Sequence, residues 1–132
     1  MTPMRTLSIA SLGLLAVAGV LLAQSHPITR TVVTRGDLAA DKEAVLAKVE
    51  IAPGGMVAWH THPGDEISYV DGGEATLMIA GQPDRRIAAG QGFVIPAGTV
   101  HNARNEGTST LRITAVYVVR KGLPLASPAP GP

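Results

Sequence analysis

Three histidines and one glutamate in this sequence have the residue types and the spacing of a metal site. His60 and His62 are separated by one residue, so on a strand both imidazoles project from the same face. Pro63-Gly64-Asp65 predicts a turn, after which Glu66 begins the next strand with a carboxylate beside them. His101 comes later in the chain. Neutral imidazoles and one carboxylate form a ligand set that suits one divalent transition metal ion: Fe, Mn, Ni, Cu or Zn.

Other interpretations of the same residues exist. Asp65 is an alternative carboxylate ligand, although strand parity favours Glu66. The metal ion is either functional or purely structural. Glu66 is also the candidate catalytic base, because it is the one carboxylate clearly placed at the predicted site. His26, the fourth histidine of the chain, is predicted to be exposed to solvent.

The elements that must position these residues are predicted to be short strands. Gly, Pro and Asp interrupt runs of β-branched and apolar residues at short intervals, which is typical of a sandwich or barrel. Pro96-Ala97-Gly98, just before His101, predicts a type I turn, and Leu38–Leu46 alone has helical character. The predicted strands are Thr29–Thr34, Val45–Ile51, Met56–His62, Glu66–Val70, Ala75–Ala80, Arg85–Ala88, Gly92–Ile95, Val100–Arg104 and Leu111–Val119.

Composition excludes several classes of function. The 132 residues suit one domain, and 45% of them are hydrophobic, which is too apolar for a disordered chain. There is no cysteine, so disulfides, thiolate ligands and thiol catalysis are excluded. Arg5 lies in a first segment that is predicted to be removed, and without it the chain has ten basic and ten acidic residues. This balance argues against nucleic acid as a partner.

The first segment has the pattern of a secretory signal peptide. A single basic residue, Arg5, precedes the uncharged run from Leu7 to Ala23, and small residues lead to a possible cleavage site before His26. This three-part pattern is typical of an export signal. The alternative is a retained membrane anchor, but the apolar run is short for a spanning helix. We therefore expect residues 1–25 to be a signal peptide that is cleaved. The mature protein is expected to be periplasmic or secreted, without stable insertion in a membrane.

Two longer motifs resemble those of a known family. Residues 54–73 contain Gly54, His60, His62, Glu66 and Gly73 in the spacing G-xxxxx-H-x-H-xxx-E-xxxxxx-G, which matches the first cupin motif. Residues 90–105 match the second, G-xxxxx-P-x-G-xx-H-xxx-N, at Gly90, Pro96, Gly98, His101 and Asn105. The chain is similar to small single-domain bacterial cupins of the quercetin-dioxygenase-like branch.

The resemblance implies an all-β fold, a double-stranded β-helix or jelly-roll barrel over residues 26–121, followed by a Pro/Ala-rich tail over 122–132. It implies that His60, His62, Glu66 and His101 are metal ligands in the barrel mouth. Gly54, Gly73, Gly90 and Gly98 would occupy turns with unusual backbone angles, and Asn105 would lie in a turn rather than on the metal. The tail is expected to lie on the surface or to be flexible, without continuing a sheet.

The resemblance also implies a small-molecule partner. The first hypothesis is a mononuclear-metal dioxygenase acting on an enolic or aromatic substrate. The alternatives are a non-redox isomerase or lyase and a non-catalytic binding module. Strands that are apolar on both faces, such as Met56–Trp59, favour a homodimer. By parity we expect the pocket to be lined by Met56, Ala58 and Ser68, together with Phe93, Ile95, Arg104, Arg112 and Tyr117.

Overall fold

Alternating burial along two long strands forms the centre of the barrel. The computed structural model describes residues 28–132. In β2 (Lys42–Ile51) the buried side chains include Val45, Val49 and Ile51, and in β9 (Leu111–Arg120) every second side chain is buried. Because successive side chains of a strand point to opposite faces, apolar residues at alternate positions bury one face of the strand and leave the other towards solvent. The two strands pair in antiparallel register over their full lengths.

The described residues form two five-stranded sheets, each antiparallel throughout. One has the order β1-β2-β9-β4-β7 and the other β10-β3-β8-β5-β6. Their inner faces enclose the apolar core, which confirms the all-β jelly-roll prediction. The other strands are β1 (Ile28–Asp37), β3 (His60–Thr61), β4 (Gly64–Gly72), β5 (Glu74–Ile79), β6 (Arg85–Ala88), β7 (Gly92–Ile95), β8 (His101–Arg104) and β10 (Ser127–Pro128).

Two predicted elements are wrong. The segment Leu38–Leu46 is not helical: the backbone turns near Asp41 and then enters β2. Between Met56 and Trp59 there is only an isolated bridge from Met56 to Arg104, so the strand that was predicted from 56 begins at His60. At the first place, pairing of β2 with β1 and β9 overrides a weak helical pattern; at the second, the segment has too few strand partners to form a regular strand.

The turns lie where the sequence predicted them, but one of them is of a different type from the predicted one. Gly54, Gly73 and Gly90 have positive φ, as predicted. The Thr99 amide donates to Pro96 O, and Gly98, the third residue of that turn, has φ of 72°. A positive φ at this position is a feature of a type II turn, not of the predicted type I turn.

The Asn105 side chain holds together backbone groups of three residues by hydrogen bonds. Its side chain is buried and donates to Ile51 O and Ser109 O, while its Oδ1 accepts from the Gly107 amide. These bonds use the whole side-chain amide. The predicted role of Asn105 in a turn, away from the histidines, is confirmed.

The C-terminal tail belongs to the barrel. Ser127 and Pro128 pair with Thr61 and His60 and so form the edge strand of the second sheet. The prediction that the tail cannot continue a sheet is therefore wrong, because proline is tolerated at a sheet edge, where its missing N–H has no partner to lose.

The expected signal segment, residues 1–25, lies outside the described residues. Among residues 28–132 no helix is long and apolar enough to cross a membrane.

Candidate metal centre

The four predicted ligands come from both sheets and meet inside the barrel. His60 in β3 pairs directly with His101 in β8, and His62 follows two residues after His60. Glu66 projects from the inner face of β4 in the opposite sheet. All four residues are buried, with exposed fractions between 3% and 8%. Three imidazoles and a carboxylate thus face one another away from bulk water.

Each imidazole is oriented by a backbone carbonyl. Nδ1 lies 2.8 Å from Ala58 O in His60, 2.9 Å from Thr99 O in His101 and 2.6 Å from Leu125 O in His62. A carbonyl only accepts hydrogen bonds, so Nδ1 of each neutral ring carries the proton. The three Nε2 atoms are left with lone pairs that point inward, and the three side chains offer ligand atoms within 4.8 Å of one another.

Glu66 completes the arrangement from the opposite side. Its Oε1 accepts a hydrogen bond of 2.6 Å from the Ser68 hydroxyl, and its Oε2 lies 3.0 Å from Nε2 of His62 and 3.3 Å from Nε2 of His101. The alternative acid, Asp65, is exposed and accepts from the Ala97 amide instead.

The close approach of Glu66 and His62 is the best indication that these residues suit a cation. Nε2 of His62 is buried and has no hydrogen-bond partner of acceptable geometry, although the carboxylate is close. With Nδ1 protonated and the ring neutral, both facing atoms are acceptors, and two acceptors at 3.0 Å repel each other unless a proton or a metal ion lies between them. The residues therefore fit a metal ion that would be held by four N and O donors.

The electrostatics favour the protonation states that a metal requires. Burial, and to a lesser degree the neighbouring histidines, lower the pKa of His60 to about 4, so its ring is neutral. Burial opposes ionisation of Glu66, but its contacts with His101, His62 and Ser68 hold its pKa well below the usual carboxylic range. Burial and the charge of Glu66 raise the pKa of Tyr117 to about 12, so its phenol stays protonated.

A narrow cavity of about 30 Å³ adjoins the histidines. Its polar wall contains His60, Glu66, His101 and Tyr117, and apolar side chains form most of the remainder. This volume is far below that of ligand pockets and suits a few water-sized groups. The larger space is an adjoining surface groove of about 220 Å³, which His60 also lines. The cavity is completed by Arg30, Val49, Ile51, Val57, Leu77, Phe93, Asn102, Ala103 and Ile113.

The predicted pocket residues divide into three groups. Phe93 and Tyr117 line the cavity, as expected. Ser68 and Ile95 are buried without lining it, and Ser68 instead holds Glu66. The other predictions are wrong, because residues 56–59 are not a regular strand and the phase of β8 and β9 turns the arginines outward: Met56, Ala58, Arg104 and Arg112 lie outside the cavity.

Sequence reasoning missed two contributors to the site. Arg30 of β1 lines the cavity, and its pairing with the inward residue Val49 is the signal that would have indicated its direction. Leu125 contributes a backbone carbonyl to His62. Since every residue has such a carbonyl, no side-chain pattern could have identified it.

The sequence and the fold of this chain are similar to those of several known proteins. Dimethylsulfoniopropionate lyase DddQ of Ruegeria pomeroyi is 36% identical over 70 residues, which are 52% of this chain and 34% of that protein. A Klebsiella pneumoniae protein with a double-stranded β-helix domain has a TM-score of 0.61 at 26% identity, covering 76% of this chain and 84% of that one. An oxalate oxidase structure has a TM-score of 0.53 at 33% identity, covering 56% and 41%.

The chain spans about a third of the length of the curated relatives that it matches. Residues 47–117 match the family model Cupin_2, described as a cupin domain. This match covers more than half of the chain and includes all four residues of the candidate metal centre. The chain therefore belongs to the cupin family.

Proposed function

We propose that this chain is an exported metalloenzyme that holds one divalent transition metal ion through His60, His62, Glu66 and His101 and acts on a small molecule at the opening of the central cavity. The observation that carries the proposal is the meeting of inward Nε2 lone pairs with the Glu66 carboxylate, an arrangement that a cation stabilises. On a five- or six-coordinate ion, four protein ligands would leave one or two positions for a substrate or water.

When bound, the ion would supply Lewis-acid or redox chemistry. The chain's own residues provide the rest. Apolar walls offer water few hydrogen-bond partners in the cavity, and the protonated Tyr117 hydroxyl offers a hydrogen-bond donor. Glu66 is the one carboxylate among the cavity residues, so we propose that it also accepts the substrate proton.

The reaction that we favour is a dioxygenation of a small enolic or aromatic substrate. The mostly apolar wall suits such a molecule better than a free sugar, and one of the similar structures is an oxidase that acts on a small organic acid. A second candidate is a non-redox lyase or isomerase. It is supported by the similarity to DddQ, which is named as a lyase.

Oxygen dependence separates these reactions. Metal-loaded residues 26–132 are expected to consume dioxygen with a flavonol, a catechol or an enolised diketone. His101→Ala is expected to lower the rate more than ~100-fold, since even outer partners of metal ligands change activity by about 10- to 100-fold. Uptake would be followed with an oxygen electrode, alongside anaerobic assays of product. Turnover without oxygen would contradict the dioxygenase and support a non-redox lyase or isomerase. Recovery of every ligand unchanged would indicate a binding module that has no catalytic activity.

We also propose that the protein is exported and dimeric. The charge and apolar pattern of residues 1–25 supports cleavage and release to the periplasm or medium. A second copy is supported by an apolar row across the outer face of the first sheet, where Val94, Ile67, Val116 and Leu46 are direct cross-strand neighbours on β7, β4, β9 and β2. Ile67 and Val94 are 50% and 59% exposed. The same patch on two copies would form an isologous interface.

The mature protein tests both statements. Protein recovered after expression of the full chain is expected to begin near His26 by N-terminal sequencing and to elute at twice the monomer mass. Ile67→Lys/Val94→Lys should elute as a monomer, because two lysines would place like charges in the interface. A retained Met1 would contradict export, and monomeric elution of the natural chain would contradict the dimer.

A further inference from the structure

Arg30 lies at the mouth of the central cavity and faces its interior. It pairs with Val49 in the register of β1 and β2, and Val49 is one of the buried, inward residues of β2. Directly paired residues project from the same face of a sheet. The Arg30 guanidinium carbon lies 5.8 Å from the centre of the Tyr117 ring, at the outer limit of a cation–π contact.

The same side chain also borders solvent. Arg30, Val57 and His60 line both the central cavity and an adjoining surface groove, which contains Trp59 and Pro128 as well. Every residue of β1 is exposed, so the guanidinium combines access to solvent with contact to the cavity. A molecule in this groove can therefore contact Arg30 and His60 at the same time.

No acidic side chain neutralises Arg30. Within residues 28–132 it forms no ion pair, whereas Arg35, further along β1, pairs with Glu43 at 3.5 Å. Residues 1–27 contain no Asp or Glu, so they offer no side-chain carboxylate partner either. A guanidinium is always charged and has a planar fork of donors that matches a carboxylate. Its free state at a largely apolar cavity is therefore a feature to be explained.

We propose that Arg30 is a specificity-determining residue and that the substrate is a small carboxylate with an apolar body. The proposal rests on the metal site proposed above. The carboxylate would bind the guanidinium, the apolar body would lie in the adjoining groove against Val57 and Trp59, and the reacting end would face His60. With a divalent ion, ionised Glu66 and Arg30 together, the site retains two positive charges, which favour an anion.

Benzoate and benzamide provide a matched pair of probes, since they have the same ring and nearly the same shape and differ in charge. Trp59, the single tryptophan of the chain, lines the groove beside Arg30 and serves as a local fluorescence reporter. The metal-loaded natural protein is expected to bind benzoate more tightly than benzamide. Arg30→Gln should weaken benzoate binding about 10- to 100-fold, the range of a charge-assisted hydrogen bond, and leave benzamide binding unchanged.

The matched control is Arg35→Gln, on the same strand and paired with the inward residue Val45, but outside the cavity. It should bind both probes as the natural chain does. Arg30→Lys, which retains charge but not the fork, should be intermediate. The metal content of each variant is measured in parallel, and Arg30→Gln should keep its full content.

Several outcomes would overturn the proposal. These are equal benzoate affinity in Arg30→Gln and the natural chain, a parallel loss of benzamide binding, or loss of metal from Arg30→Gln. No binding of benzoate, pyruvate or oxalate to the natural metal-loaded chain would overturn it too. A chain that binds no metal, yet keeps an Arg30-dependent preference for benzoate, would refute the proposed metal function and retain the anion site.

Discussion

The His60→Ala/His62→Ala variant is expected to lose its metal. Untagged residues 26–132 should contain about one metal ion per chain, because four donors are arranged around one point, and the variant should contain none. Metal binding by four ligands is worth about 10–16 kcal/mol in small structural sites, so removal of two ligands should weaken it by ~10⁴-fold or more. Inductively coupled plasma mass spectrometry after reconstitution measures the content and also identifies the metal.

His26→Ala is the matched control, since His26 is the one histidine outside the predicted ligand set, and it should retain its metal. Thermal unfolding adds a second readout. The natural chain should gain stability with metal by mass action, whereas the double variant should not. Failure of the natural chain to bind any of the five candidate metals after reconstitution would contradict the proposed centre.

Removal of the C-terminal tail should weaken the metal centre without unfolding the barrel. A chain that ends at Gly122 lacks the Leu125 carbonyl, which accepts from Nδ1 of His62 at 2.6 Å, and lacks the pairing of β10 with β3. The tail contributes only one partly buried side chain, that of Leu125, to the core contacts. Loss of an outer hydrogen bond to a ligating histidine typically reduces metal affinity by about 10- to 100-fold. We expect a loss of this size in a competition titration of Zn²⁺ against a chelator.

Two controls separate the carbonyl from other effects of truncation. Leu125→Ala keeps the backbone oxygen and should bind Zn²⁺ almost as the natural chain does. A chain that ends at Pro130 keeps Leu125, β10 and the bond from the Ala129 amide to Trp59 O, and should also be unchanged. If the chain ending at Gly122 binds Zn²⁺ with natural affinity, the tail has no role in orienting His62.

The cavity and the metal centre depend on different parts of the chain. The histidines are oriented by carbonyls of residues 58, 99 and 125, whereas Arg30 is contributed by the exposed strand β1. Substitutions in β1 should therefore change ligand selectivity at constant metal content. Changes in the tail should alter metal affinity first. This separation allows the proposals on metal and on substrate to fail independently.

The sequence by itself determined the strand parity that brings the site together. His60 and His62 share a face, Glu66 is buried while Asp65 is exposed, and β6 and β7 have the predicted bounds. These features follow from the two-residue period of a strand and from turn residues, which are local properties of the chain.

Only the tertiary structure decided which distant segments complete the site. Local pattern gave Leu38–Leu46 some helical character and predicted a strand from Met56 and a tail outside the sheets. In each case the presence or absence of a distant strand partner determined the outcome. The same holds for Arg30, whose direction is set by its pairing with Val49, and for the Leu125 carbonyl. The physical reason is that strand neighbours far apart in sequence are chosen by the free energy of the whole barrel, and a backbone oxygen carries no side-chain signature that could reveal its partner.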